Sequence, residues 1–588
     1  MRQFFKFVFA SCLGMFLFLV LTFFILMIVG MNSSSDGFSL AQNSVLELKF
    51  DKMIPEKTNN SPFKFEGFSK EDNEMLGMND ILYAINHAKT DKKIKGIILD
   101  ISGFQGGFAK AAALRQALKD FSNGGKFILT YGDAYSQGSY YLSSVANEIY
   151  LHPLGMVDLR GLGAQIPFFK DMLDKIGVKA QVFYAGKFKS ATEPFRLSKM
   201  SDANRYQIKE YLSDLNNNMM GDIAASRKLS MSELMKSVNA YDGHDPDLAL
   251  KSKMVDKLGY YSDMIKDVKA KIGLKTTDKL NIASLQDYVS TYTKSDEFSS
   301  KDKIAVVYAE GEIKDGKAEY GEIGSKNYSS IFKKISEDKN IRAIVLRVNS
   351  PGGSAVASET ILHEIQKVKS MGIPVVVSMG DYAASGGYYI SCAADSIFAE
   401  PNTLTGSIGV FSVFPNVQEM MNKKLGINFD TVSTTKYANA FSPFFLLNGD
   451  ESVIMQKFTD KIYNVFLGRV AKARKSTPEQ INEIAQGRVW TGQDAVKVNL
   501  VDKLGTLDDA IACAKRMAKL TKYRITEYPK IKDPLTQILD EVMGIKEDQQ
   551  EKAIKAHMGV YYDYYDQLRK LNNLRGPQMR MPFEINIR

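Results

Sequence analysis

Ser385 stands in DYAASGGYYIS, directly after the apolar run IPVVVSM. That pattern sets a hydroxyl between small residues where a strand turns into a helix, a place where backbone N–H groups gather and favour negative charge. One strand earlier AIVLRV runs into NSPGGS, so Gly352 and Gly353 follow a strand of their own. Consecutive glycines let backbone approach a ligand and aim N–H groups at it, as an oxyanion hole requires. Pro-Gly-Gly by itself is most often only a turn. Joined with the N–H of Gly386 beside Ser385, Gly352 and Gly353 would hold the oxyanion of a tetrahedral intermediate. The chemistry in view is acyl transfer by a serine nucleophile.

Such a serine needs a base, usually histidine. The histidines are His87, His152, His244, His363 and His557, and only His363 falls near these motifs. Four positions on stands Lys367 and not a second histidine, so the helical zinc motif is absent. All five read as structural or surface residues. Lysine can replace histidine where burial lowers its pKa, by roughly 3 to 5 units in a fully buried site.

An internal repeat singles out one lysine. DKKIKGIILDISGFQGG from Asp91 returns as DKNIRAIVLRVNSPGGS from Asp338, 247 residues on. GDAYSQGSYYLSSVANEIYLHP from Gly132 returns as GDYAASGGYYISCAADSIFAEP from Gly380, 248 residues on. FYAGKFKSATEPF aligns with STTKYANAFSPFF, which sets Pro194 opposite Pro443, Lys189 opposite Ala438, and, in the earlier segment, Gln137 opposite Ser385. The first copy keeps a lysine and lacks the serine; the second keeps the serine and lacks the lysine. From the residues alone, Lys189 stays open between a base and an ordinary surface lysine.

The elements that must position these groups follow from the same repeat. The copies are expected over 43–295 and 296–532, closed by MVDKLG and LVDKLG, with 1–42 ahead and 533–588 behind. Ile304–Tyr308, Ala343–Leu346 and Pro374–Val377 are short β-branched apolar runs, the pattern of strands buried on both faces. Helical spacing returns between them, and Ile454, Phe458, Ile462, Phe466 and Val470 mark a long amphipathic helix. The fold class expected is α/β, with largely parallel sheets in tandem.

At 588 residues the chain exceeds one ordinary core, and 45% hydrophobic with 24% charged residues is a globular composition. The net charge of +9 is spread over single lysines, not a concentrated basic face, which excludes a nucleic-acid partner. Cys12, Cys392 and Cys513 lie far apart, show no metal or disulfide spacing, and are expected to be small buried apolar residues. Phe7 to Val29 is an uncharged stretch of 23 residues, whereas a bilayer core takes about 20. It is too long for a cleaved signal peptide, and Arg2 and Lys6 ahead of it place the tip in the cytoplasm and the bulk of the chain outside the cytoplasmic membrane. KEDQQEKAIKAHMGVYYDYYDQLRKL reads as a helix and RGPQMRMPFEINIR as a loosely held tail, with no chemistry visible in either.

Taken together, DYAASGGYYIS, NSPGGS, TLTGSIGV, GKFKSATEPF and GRVWTGQDA with LVDKLG resemble the long form of the signal peptide peptidase A family (SppA, protease IV, peptidase family S49). The resemblance runs from the anchor to about residue 530. It implies Ser385 as nucleophile and Lys189 as base, with Ser407 hydrogen-bonded to the lysine. It further implies tandem domains of the Clp protease and crotonase type, a homotetrameric bowl opening towards the inner membrane, and signal peptides and other apolar peptides as substrates. No cofactor, metal or nucleotide is called for, and no G-x-x-x-x-G-K-[ST] loop occurs. Two alternatives stand beside it: a crotonase-like acyl-CoA enzyme, and an inactive membrane scaffold.

Overall fold

The computed structural model describes residues 2–33, 38–58, 76–101, 103–292, 300–319, 321–530 and 576–581, with single residues between 554 and 565. The duplication read in the sequence is visible as duplicated topology. In the first half the strands Lys257–Leu258, Glu148–Val157, Phe127–Tyr135, Ile94–Asp100, Ser44–Lys49 and Ile282–Ser284 lie side by side in that order, all parallel. The second half repeats the order with Lys503–Leu504, Ser396–Ala399, Val375–Ala384, Ile341–Ser350, Lys303–Glu310 and Arg524–Tyr528. Leu404–Gly406 and Val489–Thr491 extend this second sheet beyond the upper end of Val375–Ala384. The β-branched runs behave as expected: every residue of Val375–Ala384 is buried, because helices cover both faces of a parallel sheet.

A third, mixed sheet belongs to neither half alone. Its order is Ile323–Gly324, Ile313–Lys314, Gly352–Ser354, Gln578–Arg580, Val410–Asn416 and Lys179–Ala185. The last of these comes from the first half and runs antiparallel to Val410–Asn416, from Ala185 opposite Val410 to Lys179 opposite Asn416. This crossing strand carries the first half's lysine turn into the second half.

Buried charges join the halves at a second place. Arg347 donates to Glu56 at 2.9 Å, and Lys110 donates to Glu310 at 3.0 Å. The Lys110 backbone N–H donates to Asp381 at 2.9 Å. Arg347, Glu56, Lys110 and Asp381 are all buried, and Glu310 alone keeps partial exposure, at 28% of its side chain.

Several expectations need correction. The helix Gly449–Arg474 exists, but its buried face is Met455, Thr459, Tyr463, Phe466, Leu467 and Val470, while Ile454 and Phe458 are exposed. A strict four-residue spacing drifts on a helix of 3.6 residues per turn, so a stripe aligned at Phe466 and Val470 has left the core by Ile454. Cys392 and Cys513 are buried as expected, but Cys12 is exposed. The tail is not loosely held throughout, since Gln578–Arg580 is a strand inside the shared sheet. Among the described residues no helix is long and apolar enough to cross a membrane. The backbone of Arg2–Ser33 is helical, but the side chains of 2, 5, 19, 20 and 23–33, among them nine of the 23 residues of the expected span, lie outside the described residues.

Candidate functional site

The serine sits where the strand Val375–Ala384 ends and the short helix Gly386–Ser391 begins. Its backbone, at φ 56° and ψ −112°, is in a region L-residues rarely enter, at a cost of about 1–3 kcal/mol. Neighbouring contacts hold it there. The Ser385 N–H donates to Gly406 O at 2.8 Å, and its carbonyl accepts from Tyr389 N–H at 2.8 Å. The following glycines are required by packing: a Cβ on Gly386 would lie 2.8 Å from Ser358 Oγ, and one on Gly387 would lie 2.6 Å from Ser350 O.

Lys189 reaches the same point from the other half. Past the crossing strand the chain turns at Gly186, and Lys189 precedes the 3-10 turn Ser190–Thr192. The turn is anchored to the second half by Phe188 N–H donating to Gln486 O at 2.7 Å. Gln207, on the helix Asp202–Arg227, donates to Phe188 O at 2.9 Å and Ser190 Oγ at 3.0 Å and accepts from Val489 N–H at 3.3 Å. Lys189 Nζ then lies 2.9 Å from Ser385 Oγ and 3.1 Å from both the carbonyl and the hydroxyl oxygens of Ser407. Both partners belong to one chain. Burial alone drives the Lys189 pKa well below its ordinary 10.5, with no carboxylate to oppose it. A neutral amine so placed can donate to the two Ser407 oxygens and accept from the Ser385 hydroxyl.

The two glycine turns meet beside this pair. A Cβ on Gly352, at φ 102°, would lie 2.7 Å from Gly386 N. The Gly352 N–H donates to Ser350 Oγ at 3.2 Å, so Gly352 supplies space more than a donor, which leaves the amides of Gly353 and Gly386 as the candidate anion-binding pair of the set. In the first copy Gln137 occupies the serine's place, its Oε1 accepting from Gly161 N–H at 2.8 Å, and Ala438 in the second copy is exposed on a turn. The copies share one architecture, but each has only one member of the serine–lysine pair.

Two residues essential to this geometry were not singled out from sequence. A Cβ on Gly409 would lie 3.0 Å from Lys189 Cδ, and one on Gly487, at φ 77°, would lie 2.6 Å from Lys189 N. Both sit inside motifs, TLTGSIGV and GRVWTGQDA, whose glycines were the available signal.

The chain was compared with known proteins. The model for "Peptidase family S49" matches residues 120–275 and again 367–521. "Protease 4" of Salmonella typhi is 40% identical over 81% of this chain and 78% of its own length. "Protease 4" of Haemophilus influenzae is 35% identical over 84% and 83%. "Serine protease SPPA, chloroplastic" of Arabidopsis thaliana is 30% identical over 78% and 68%. Among solved structures, a ClpP1 mutant from Listeria monocytogenes matches at 20% identity over 35% of this chain and 94% of that one, with a TM-score of 0.24, too slight to carry a fold assignment.

Proposed function

Given that the chain belongs to peptidase family S49 and is a serine protease, we propose that Ser385 is its nucleophile and Lys189 its general base. The observation that carries the reading is the 2.9 Å contact between Lys189 Nζ and Ser385 Oγ in a fully buried setting that drives the amine's pKa well below its ordinary value. As Ser385 Oγ attacks a peptide carbonyl, Lys189 takes its proton, and the Gly353 and Gly386 amides hold the oxyanion. Lys189 returns the proton to the leaving amine, then draws one from the water that releases the acyl group. Ser407 keeps the amine aimed through both of its oxygens.

The substrate class follows from the slot and from the relatives. The edges of Gly352–Ser354 and Val410–Asn416 stand one strand apart, bridged here by Gln578–Arg580, which is the spacing an extended substrate would need to pair with both. One relative in Enterococcus faecium carries the name "Putative signal peptide peptidase SppA". Cleaved signal peptides and other apolar peptides are the proposed substrates. The proposal extends to domains of the Clp protease and crotonase type, a homotetramer, and an anchor in residues 1–42 that holds the enzyme on the outer side of the cytoplasmic membrane. Membership in a serine-protease family displaces the acyl-CoA and scaffold alternatives.

The test uses Ser385→Ala and Lys189→Met on a fluorogenic peptide and on a synthetic signal peptide. Each variant is expected to lose about 10³-fold or more of kcat while folding normally. Full turnover in either would remove the dyad.

A further inference from the structure

Three consecutive residues of the second half, Gln486, Gly487 and Arg488, meet the lysine turn of the first. Phe188 N–H donates to Gln486 O at 2.7 Å, and Lys187 N–H donates to Gln486 Oε1 at 3.2 Å. Gly487 lies against the Lys189 backbone, and the Arg488 carbonyl accepts from Ser407 N–H at 2.7 Å. The chain at 486–488 therefore touches both groups that the proposed chemistry needs side by side, the lysine and the serine whose oxygens aim it.

Gln486 is the unusual member. It follows the helix Pro478–Ile484 at a φ of 52°, the left-handed place where a helix most often ends on glycine or asparagine. A glutamine there carries a backbone penalty that glycine would not. Its side chain is fully engaged: Oε1 takes the Lys187 N–H, while Nε2 donates to Asn482 Oδ1 at 2.8 Å. Its own N–H donates to Tyr463 OH at 3.2 Å, and that hydroxyl donates to the same Asn482 oxygen at 2.6 Å. Tyr463 is buried on the helix Gly449–Arg474, so the clasp is fixed to an element of the second half's core. From the other side the lysine turn comes in at Gly186, φ 114°, where a Cβ would lie 2.6 Å from both C and O of Gln486. The repeat supplies a contrast: MVDKLG and LVDKLG stand 246 residues apart, which sets Ala240 opposite Gln486. Ala240 is exposed and has no side-chain acceptor to offer.

We propose that Gln486 is a positioning residue for the peptidase reaction, its two oxygens clasping the successive N–H groups of Lys187 and Phe188 so that Lys189 Nζ stays on Ser385. This rests on the assignment of Ser385 and Lys189. The clasp touches neither substrate nor reacting atoms; it fixes the backbone from which the lysine side chain extends. Two neighbouring N–H groups held from one residue leave the turn no freedom to swing about the strand that delivers it. With the clasp released, Nζ drifts from the 2.9 Å contact and water gains access to the amine.

The test is steady-state kinetics on the fluorogenic peptide across pH, with melting curves, for the full chain and its Gln486→Gly, Gln486→Glu and Lys189→Met variants. Gln486→Gly suits the backbone at φ 52° and removes the side-chain acceptor, so it is expected to melt near the parent. Its kcat is expected to fall about tenfold with KM within about twofold. The acid limb of kcat/KM is expected to move to higher pH, because water at a loosened turn solvates the ammonium form. Gln486→Glu keeps an acceptor for Lys187 N–H, with the Asn482 amide turned over to donate, and is expected to recover most of the lost plateau kcat. Parental kcat and limb in Gln486→Gly, with Lys189→Met inactive, would overturn this inference and spare the dyad. A fall in kcat with an unmoved limb, or a Gln486→Glu no better than Gln486→Gly, would make Gln486 a packing residue and overturn it as well. Parental turnover in Lys189→Met would overturn both.

Discussion

At the scale of single residues, the proposed chemistry turns on a lysine without a counter-ion. Lys189 is fully buried and meets only hydroxyl and carbonyl oxygens, so its ammonium form has lost hydration and gained no opposite charge. The native state keeps the amine neutral at pH values where the unfolded chain protonates it. The unfolded state then binds more protons, so stability rises with pH in the window between the lowered native pKa and the ordinary 10.5. Lys189→Met removes that burden. Its melting temperature is expected to exceed the parent's at neutral pH, with the difference closing as pH approaches 10.5. Peptidase activity should rise through the same lowered pKa, on a limb well to the acid side of ordinary lysine titration. Melting curves and kcat/KM across pH check both, and an activity limb at the ordinary lysine value would mean that water reaches the amine.

At the scale of elements, the site depends on a strand that leaves its own half. Lys179–Ala185 pairs along its whole length with Val410–Asn416, which aims the lysine turn at the serine turn. The turn then passes so close to Gly487 that no side chain fits: a Cβ there would press on the Lys189 backbone at 2.6 Å, and the φ of 77° adds its own penalty. Gly487→Ala is expected to lower kcat by 10-fold or more by displacing Nζ, a loss of about 1.4 kcal/mol or more in transition-state stabilisation, with a smaller effect on KM. Steady-state kinetics separate the two, and unchanged kcat would show that the turn adjusts. This geometry marks the limit of what the sequence made legible. Ser385 and the glycines were readable because turn chemistry is local, whereas Lys189 emerged only when the copies were aligned. The crossing of KAQVFYA was hidden, since a strand's sequence records that it pairs and not with whom. The tail strand QMR was hidden for a similar reason, being too short to show a period and defined by the slot that receives it.

At the scale of the whole molecule, a site divided between halves works only while the halves stay docked. The buried charges at the seam bear on that directly. Burial pushes Glu56 up, but the Arg347 and Lys110 charges outweigh it and hold its carboxyl below the ordinary range. Its contribution is therefore present above about pH 4.5 and is lost as pH falls through the lowered native value. Arg347 also donates to Ser378 Oγ at 2.8 Å and Met379 O at 2.9 Å, on the strand that ends at Ser385, so the seam and the nucleophile share a support. Arg347→Met leaves Glu56 buried with Lys110 alone at 3.5 Å, and breaking a buried pair on one side costs about 3–5 kcal/mol. Glu56→Leu combined with Arg347→Met removes both charges and should cost less than the two single changes together. Calorimetry of the single and double variants at pH 7 measures that coupling, and activity measured on the same samples reports whether the lysine still reaches the serine. The single change is expected to lower the melting temperature and the activity together, and the double to restore part of both. Additive losses would mean that the pair contributes nothing to docking, and that the shared sheet alone holds the two halves of the site in place.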